Sequence, residues 1–357
     1  MCPASSFLRN SWPLVESVAM EQSPVQFAKT ADGLSIAWTQ AGNGPLMIMM
    51  PALNASLSGS WIHFPGWFQE VTRHFTVVQY DGRGHGLSSR DLSADLTMSD
   101  LGLDLEAVVS QQGQGAFILY ASGGTTHVAL RYAAAHPERV QALVLNTCAV
   151  ANASWGMTYW RALPSENFEY FRETLLLPGL TVEERKEWIE RSRTVSTFHD
   201  YDIYSRVLMD GVIEDVLPQV QTPALVIHQT WRTTLPREES MRVAASLPHG
   251  RFALDSATSY YPDPTTVQVI VDFVAQTSPV SSAPAAESGQ ALAIGLLSQR
   301  EVEVLGLVAQ GKTSQEIAAE LVISPFTVNR HISNIYSKIG AANRAEAASF
   351  ATRHGIA

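Results

Sequence analysis

Apolar positions along this 357-residue chain fall into two regimes. From about Val25 to Ala275, short apolar runs alternate with stretches whose apolar residues recur at helical spacing. Uninterrupted short runs suit strands buried on both faces, and the periodic stretches suit helices packed against them. The pattern therefore predicts a mostly parallel sheet covered by helices. Strands are expected near Gln26–Lys29, Ser35–Thr39, Leu46–Met50, Thr76–Tyr80, Ala116–Tyr120, Ala142–Asn146, Ala224–His228 and Arg251–Leu254. Helices are expected near Leu101–Gln111, Thr126–Ala135, Arg237–Ser246 and Thr265–Ala275. Roughly seventy residues separate the sixth and seventh strands, far beyond an ordinary connection. They are helical in pattern and rich in aromatics, among them Trp155, Tyr159, Trp160, Phe168, Phe171 and Trp188. An insertion there sits over the carboxyl ends of the strands, where open α/β sheets bind ligands.

Beyond Leu296 the pattern shortens to four helical stretches, each opening on a residue that can cap a first-turn amide. Ser298 stands three before Glu301, Thr313 three before Glu316 and Asn343 three before Glu346, while Ser324 precedes Pro325. Gly311 and Gly340 fall where two of the helices should stop. A helix, a turn over Ala319–Ser324 and a longer helix make a helix-turn-helix, whose second helix enters the DNA major groove. On that helix Val328, Ile332, Ile335 and Ile339 form one apolar face, and Phe326, Asn329, Arg330 and Ser333 lie opposite. Asparagine suits adenine, arginine suits guanine, and an apolar ring can touch a thymine methyl.

Charge sharpens this division. The chain carries 24 basic and 34 acidic side chains. Residues 291–357 hold six basic and five acidic ones, leaving 18 against 29 for the rest. The larger part would repel phosphate, and the smaller part has so little excess charge that a homodimer on paired half-sites is expected. Two cysteines, Cys2 and Cys148, make no disulfide framework, and no spacing suggests a metal; no cofactor is called for. The sequence has no apolar run near eighteen residues, so no membrane partner is expected and the cytoplasm is the expected location. Residues 276–290 are small, polar and proline-bearing, which marks a linker between a domain at 1–275, its helical cap at about 150–221, and a domain at 291–357.

The C-terminal segment resembles the LuxR/GerE-type DNA-binding domain through Leu297, Arg300, Glu301, Leu305, Gly311, Glu316, Ile317, Ala318, Leu321, Ser324, Thr327, Val328, His331, Ile335, Lys338 and Asn343-Arg344. The resemblance implies double-stranded promoter DNA as partner, with Thr327 and Lys338 placed for phosphates.

The N-terminal part resembles the α/β-hydrolase family through Asp81–Ser89 (DGRGHGLSS), Ala129–Leu145 and Thr222–His228. The implied fold class is α/β: a doubly wound, mostly parallel, hydrolase-like sheet with a helical cap, followed by a small all-α helix-turn-helix domain. Hydrolases of this fold raise a serine on a G-x-S-x-G elbow. Here the elbow reads Ala121–Thr125 and aligns Gly123 at the nucleophile position. Arg232 aligns with the acid, and Thr258-Ser259 stands where a Gly-His pair is expected. The oxyanion loop begins at Pro51. A triad works as a unit, so these positions read as a scaffold without its catalytic groups. The expected residue of function is a pocket for a small organic signal, with Leu53, Asn54, Ser122, Gly123, Arg232 and Ser259 as polar or backbone anchors. Trp155, Tyr159, Trp231 and Tyr260 would form its walls. The leading expectation is a ligand-responsive transcription regulator; the alternative is a Ser122-dependent esterase fused to a DNA-binding domain.

Overall fold

The computed structural model describes residues 23–53, 56–57, 64–151, 168, 182–231, 235–257, 261–277, 299–321, 323–339, 341, 343–353 and 356, apart from some helix side chains. The chain divides into two compact units, Met1–Ser278 and Pro279–Ala357.

The first unit runs β1 (Gln26–Lys29), β2 (Ser35–Ala41), β3 (Leu46–Met49), α1 (Pro65–His74), β4 (Thr76–Tyr80), α2 (Met98–Ser110), β5 (Phe117–Ser122), α3 (Thr126–Ala135) and β6 (Val140–Asn146). Then come α4 (Val182–Val195), α5 (Phe198–Met209), β7 (Ala224–Gln229), α6 (Arg237–Ser246), β8 (Gly250–Asp255) and α7 (Pro264–Thr277). The strands form one sheet in the order β1-β2-β4-β3-β5-β6-β7-β8, with β2 antiparallel to both neighbours and β3 through β8 parallel. Successive side chains of a strand point to opposite faces, which divides the core in two. Phe117, Leu119, Leu143, Leu145 and Val226 pack with residues of α2, α3 and α6. Ile118, Tyr120, Ala142, Val144 and Ile227 pack with α1 and α7.

The expected strands all appear, and several run further than the apolar pattern alone suggests. β5 continues through Ser122, β6 begins at Val140, and α2 begins at Met98 under a capping box between Thr97 and Asp100. Helix α1 was not expected from the pattern. Its buried Trp67, Phe68 and Val71 are too few to set a clear period, although Pro65 marks its start. α7 extends to Thr277, two residues into the stretch read as linker.

The second unit holds α8 (Gln299–Ala309), α9 (Ser314–Leu321), α10 (Pro325–Ile339) and α11 (Arg344–Arg353). Val304, Leu305, Ile317, Val328, Ile332 and Ile335 join Ala347 and Ala351 in its core, as the spacing of α10 requires. Gly311 takes φ +82° after α8, and Lys312 N–H closes back on the Leu307 carbonyl at 3.2 Å. A capping box of Thr313 and Glu316 opens α9, Asn343 Oδ1 caps α11 by accepting from Glu346 N–H at 3.0 Å, and Ser324 Oγ accepts from Thr327 N–H at 3.1 Å. Ser298 and Gly340 lie outside the described residues. Among the described residues no helix is long and apolar enough to cross a membrane.

Candidate functional site

The turn after β5 is built as an elbow. Ser122 ends the strand in extended conformation, Gly123 takes φ +63°, and a single 3-10 turn over Gly123–Thr125 leads into α3. Glycine adopts the left-handed conformation at no steric cost, so the sharp reversal needs no further support at its tip. Thr125 Oγ1 and Thr126 Oγ1 donate to the carbonyls of Ser122 and Gly123, at 3.0 and 2.6 Å. Helix α5 lies directly on the turn: a Cβ on Gly124 would stand 3.0 Å from Leu208 Cβ.

A buried polar chain occupies the strand ends beside the elbow. Asn146, the last residue of β6, donates Nδ2–H to Ser122 Oγ at 3.2 Å and to Gln229 Oε1 at 3.3 Å. Gln229, ending β7, donates Nε2–H to Asp255 Oδ2 of β8 at 3.3 Å. Asp255 Oδ1 then accepts from Thr266 Oγ1 at 2.8 Å and from Asp263 N–H at 3.2 Å, in the first turn of α7 and just before it. All four strand-end residues are buried, and such groups persist inside a protein only when bonded to one another. Next in sequence, Thr147 has φ +57°, an uncommon conformation for a β-branched residue. It is held by its N–H on the Ile227 carbonyl at 2.7 Å.

The DGRGHGLSS segment proves to be a structural knot. The Asp81 carboxylate accepts from the N–H groups of Leu57 and Leu87, both at 2.8 Å. Burial nevertheless raises its pKa to about 6, with those two bonds pulling the other way. Arg83 pairs with buried Asp104 at 2.8 Å and with Asp32 at 2.9 Å. Ser88 Oγ and Ser89 Oγ accept from the backbone of Ala37 and Ser35 in β2, each at 2.9 Å. His85 packs edge-on against Tyr204 of α5, and its Nδ1 lies 3.1 Å from the Arg83 carbonyl. The hydroxyl of Tyr204 in turn faces Gly82, whose neighbour across the gap is Pro51. His127 of α3 is likewise buried, its Nε2 2.8 Å from the Ala149 carbonyl. Burial lowers both imidazoles to about 4, so both are neutral at pH 7, and among the described residues His85 Nε2 and His127 Nδ1 have no hydrogen-bond partner.

Of the residues expected to line a ligand pocket, Ser122 and Gly123 come together at the elbow. Leu53 is half-buried in the turn after β3 against the α2–α3 side of the core, and Trp231 is half-buried just past β7. Asn54, Trp155, Tyr159, Arg232, Ser259 and Tyr260 lie outside the described residues. Sequence reasoning missed Asn146, Gln229 and Asp255. The available signal was a polar residue closing each of three apolar strand runs.

In the second unit Asn329 and Arg330 are exposed on α10, opposite the buried Val328 and Ile332. Thr327 bonds to Ser324 in the cap at 2.8 Å. The side chains of Phe326, Ser333 and Lys338 lie outside the described residues. Ser314, at the start of α9, donates Oγ–H to Asn329 Oδ1 at 2.8 Å.

Residues 295–351 match the family described as bacterial regulatory proteins, luxR family. The C-terminal unit carries a LuxR-type DNA-binding domain. LiaR of Bacillus subtilis, a transcriptional regulatory protein, is 48% identical over 60 residues, which cover 17% of this chain and 28% of LiaR. The chain thus spans little more than a quarter of that relative. Residues 39–183 match the Ndr family. RutD of Yersinia enterocolitica, whose name describes a carbamate hydrolase, is 25% identical over 226 residues, or 56% of this chain and 77% of RutD. Among solved structures, a hydrolase from Pseudomonas aeruginosa superposes with TM-score 0.55 at 24% identity, covering 71% of this chain and 97% of that one. An enol-lactonase from Burkholderia xenovorans gives 0.56 at 19%, covering 70% and 100%. The N-terminal unit has the α/β-hydrolase fold, and the LuxR-type domain follows it in the same chain.

Proposed function

We propose that this protein is a transcription regulator whose hydrolase-like unit binds a small organic signal without turning it over. In this reading the LuxR-type unit binds promoter DNA as a homodimer in the cytoplasm. One observation carries it. The hydroxyl beside the elbow, Ser122 Oγ, accepts a hydrogen bond from the Asn146 amide. An amide N–H is a donor with no lone pair to take the serine proton, so this partner cannot serve as the general base a nucleophilic serine needs. At the tip itself stands Gly123, with no side chain to attack. What the arrangement supports is a polar floor for a ligand, set beneath α5. Occupancy would control DNA binding only if the bound and empty states differ in free energy for that step.

Labelling of the full-length protein with a fluorophosphonate probe tests this against the esterase alternative, which the likeness to hydrolases favours. The expected result is no labelled serine and no ester turnover at neutral pH. Labelling mapped to Ser122, with turnover lost in Ser122→Ala, overturns the proposal.

A further inference from the structure

Ser314 and Asn329 are fifteen residues apart and stand on different helices of the DNA-binding unit, yet they share a 2.8 Å hydrogen bond in which Ser314 Oγ–H donates to Asn329 Oδ1. Ser314 opens α9, where the capping box of Thr313 and Glu316 fixes the backbone that carries it. It is half-buried, whereas Asn329 is exposed on α10. A surface asparagine normally samples several rotamers and both amide orientations, and each must be frozen when it reads a base. Here one lone pair of Oδ1 is already committed to a hydroxyl held on the neighbouring helix. Because Asn329 is exposed, the remaining lone pair of Oδ1 and the two Nδ2–H donors can meet a base.

We infer that Ser314 is a positioning residue that presets Asn329 to read adenine. Adenine presents N6–H as a donor and N7 as an acceptor on its major-groove edge, the complement of the free Oδ1 lone pair and an Nδ2–H. Guanine presents O6 where adenine has N6–H, which would set two acceptors against each other. Without the Ser314 hydroxyl the amide can turn over and offer its donors to O6, so discrimination between the two purines should weaken. Nearby charge does not compete for the pair: Glu316 is engaged by Thr313, and Glu320 by Lys312. This inference concerns the DNA-binding unit alone and does not depend on ligand binding by the first unit.

The experiment is selection of full-length protein on a randomised duplex library, with wild type, Asn329→Ala, Ser314→Ala and Ser314→Thr compared. Asn329→Ala should erase an adenine preference at one position of the enriched site and so define that position. Ser314→Ala should lower the adenine-to-guanine ratio there by about two- to tenfold, the effect of one net hydrogen bond, and leave other positions and binding to random duplex unchanged. Ser314→Thr, which keeps the hydroxyl, should restore the preference. An equal loss on all sequences would make Ser314 a phosphate contact and overturn the inference. So would an enriched site unaltered by Ser314→Ala, or a wild-type site with no adenine sensitive to Asn329→Ala. A thermal melt of Ser314→Ala matching wild type separates positioning from folding.

Discussion

At the scale of single residues, the positions that define this protein are those where a side chain is replaced, cradled or left out. Gly86 shows how tightly the hydrolase-like loop is drawn: with φ +49°, any Cβ there would fall 1.9 Å from Asp81 Oδ2. That carboxylate joins Leu57 to Leu87, so moving it releases two backbone donors at once. Gly86→Ala should therefore destabilise the protein by at least about 2 kcal/mol through combined strain and lost bonds, read as a lower urea midpoint. A midpoint within error of wild type would mean the loop relaxes without cost. The same scale explains what the sequence could not disclose. Asp81, Arg83 and the two serines are visible as a motif, but nothing in their spacing says that the motif anchors β2 and α2. The burial of His85 and His127 was likewise invisible, since burial of a lone histidine follows from neighbours far away in the chain.

Elements were more legible than residues. The alternation of apolar runs with helical periods placed each strand of the sheet within a few positions, because strands buried on both faces leave an unbroken apolar signature. In the second unit three of the expected capping positions are present as drawn, since a cap is a local device spanning three or four residues. Relations across the sheet were not legible. Asn146, Gln229 and Asp255 meet only because β6, β7 and β8 are parallel and in register, with Gln229 opposite Asp255. Their chain ends on α7 at Thr266. Gln229→Leu removes one acceptor of Asn146 and the donor to Asp255 Oδ2, leaving a buried amide hydrogen and a buried carboxylate oxygen each without that bond, at a cost of about 1–3 kcal/mol each. The expected outcome is faster amide exchange in the first turn of α7, with little change in β3 or β4. Uniform acceleration through the sheet would argue that the chain ties nothing in particular to that helix.

For the molecule as a whole, buried ionisable groups set opposing pH dependences. His85 and His127 are held at about 4, below the ordinary 6.5, so the stability they contribute is full above pH 6.5 and is lost as pH falls through 4. Asp81 and Asp104 are raised to about 6 from 3.8, so their contribution is present below pH 3.8 and lost as pH rises through 6. Between pH 4 and 6 the two pairs offset each other. His127→Gln, which keeps a donor for the Ala149 carbonyl, should remove one of the four terms. The slope of unfolding free energy against pH in that window should drop by up to about 1.4 kcal/mol per pH unit, measured by urea melts of the full chain. An unaltered slope would mean that the imidazole takes up its proton without unfolding.

Leu208 lies so close to Gly124 that a methyl group there would force it to give by a few tenths of an ångström. Helix α5 thus covers the elbow on that side, and a molecule that is to touch Gly123 from there would need the helix to shift. Its arrival would be timed by the protein's own breathing rather than by diffusion, and raising its concentration would stop quickening the encounter.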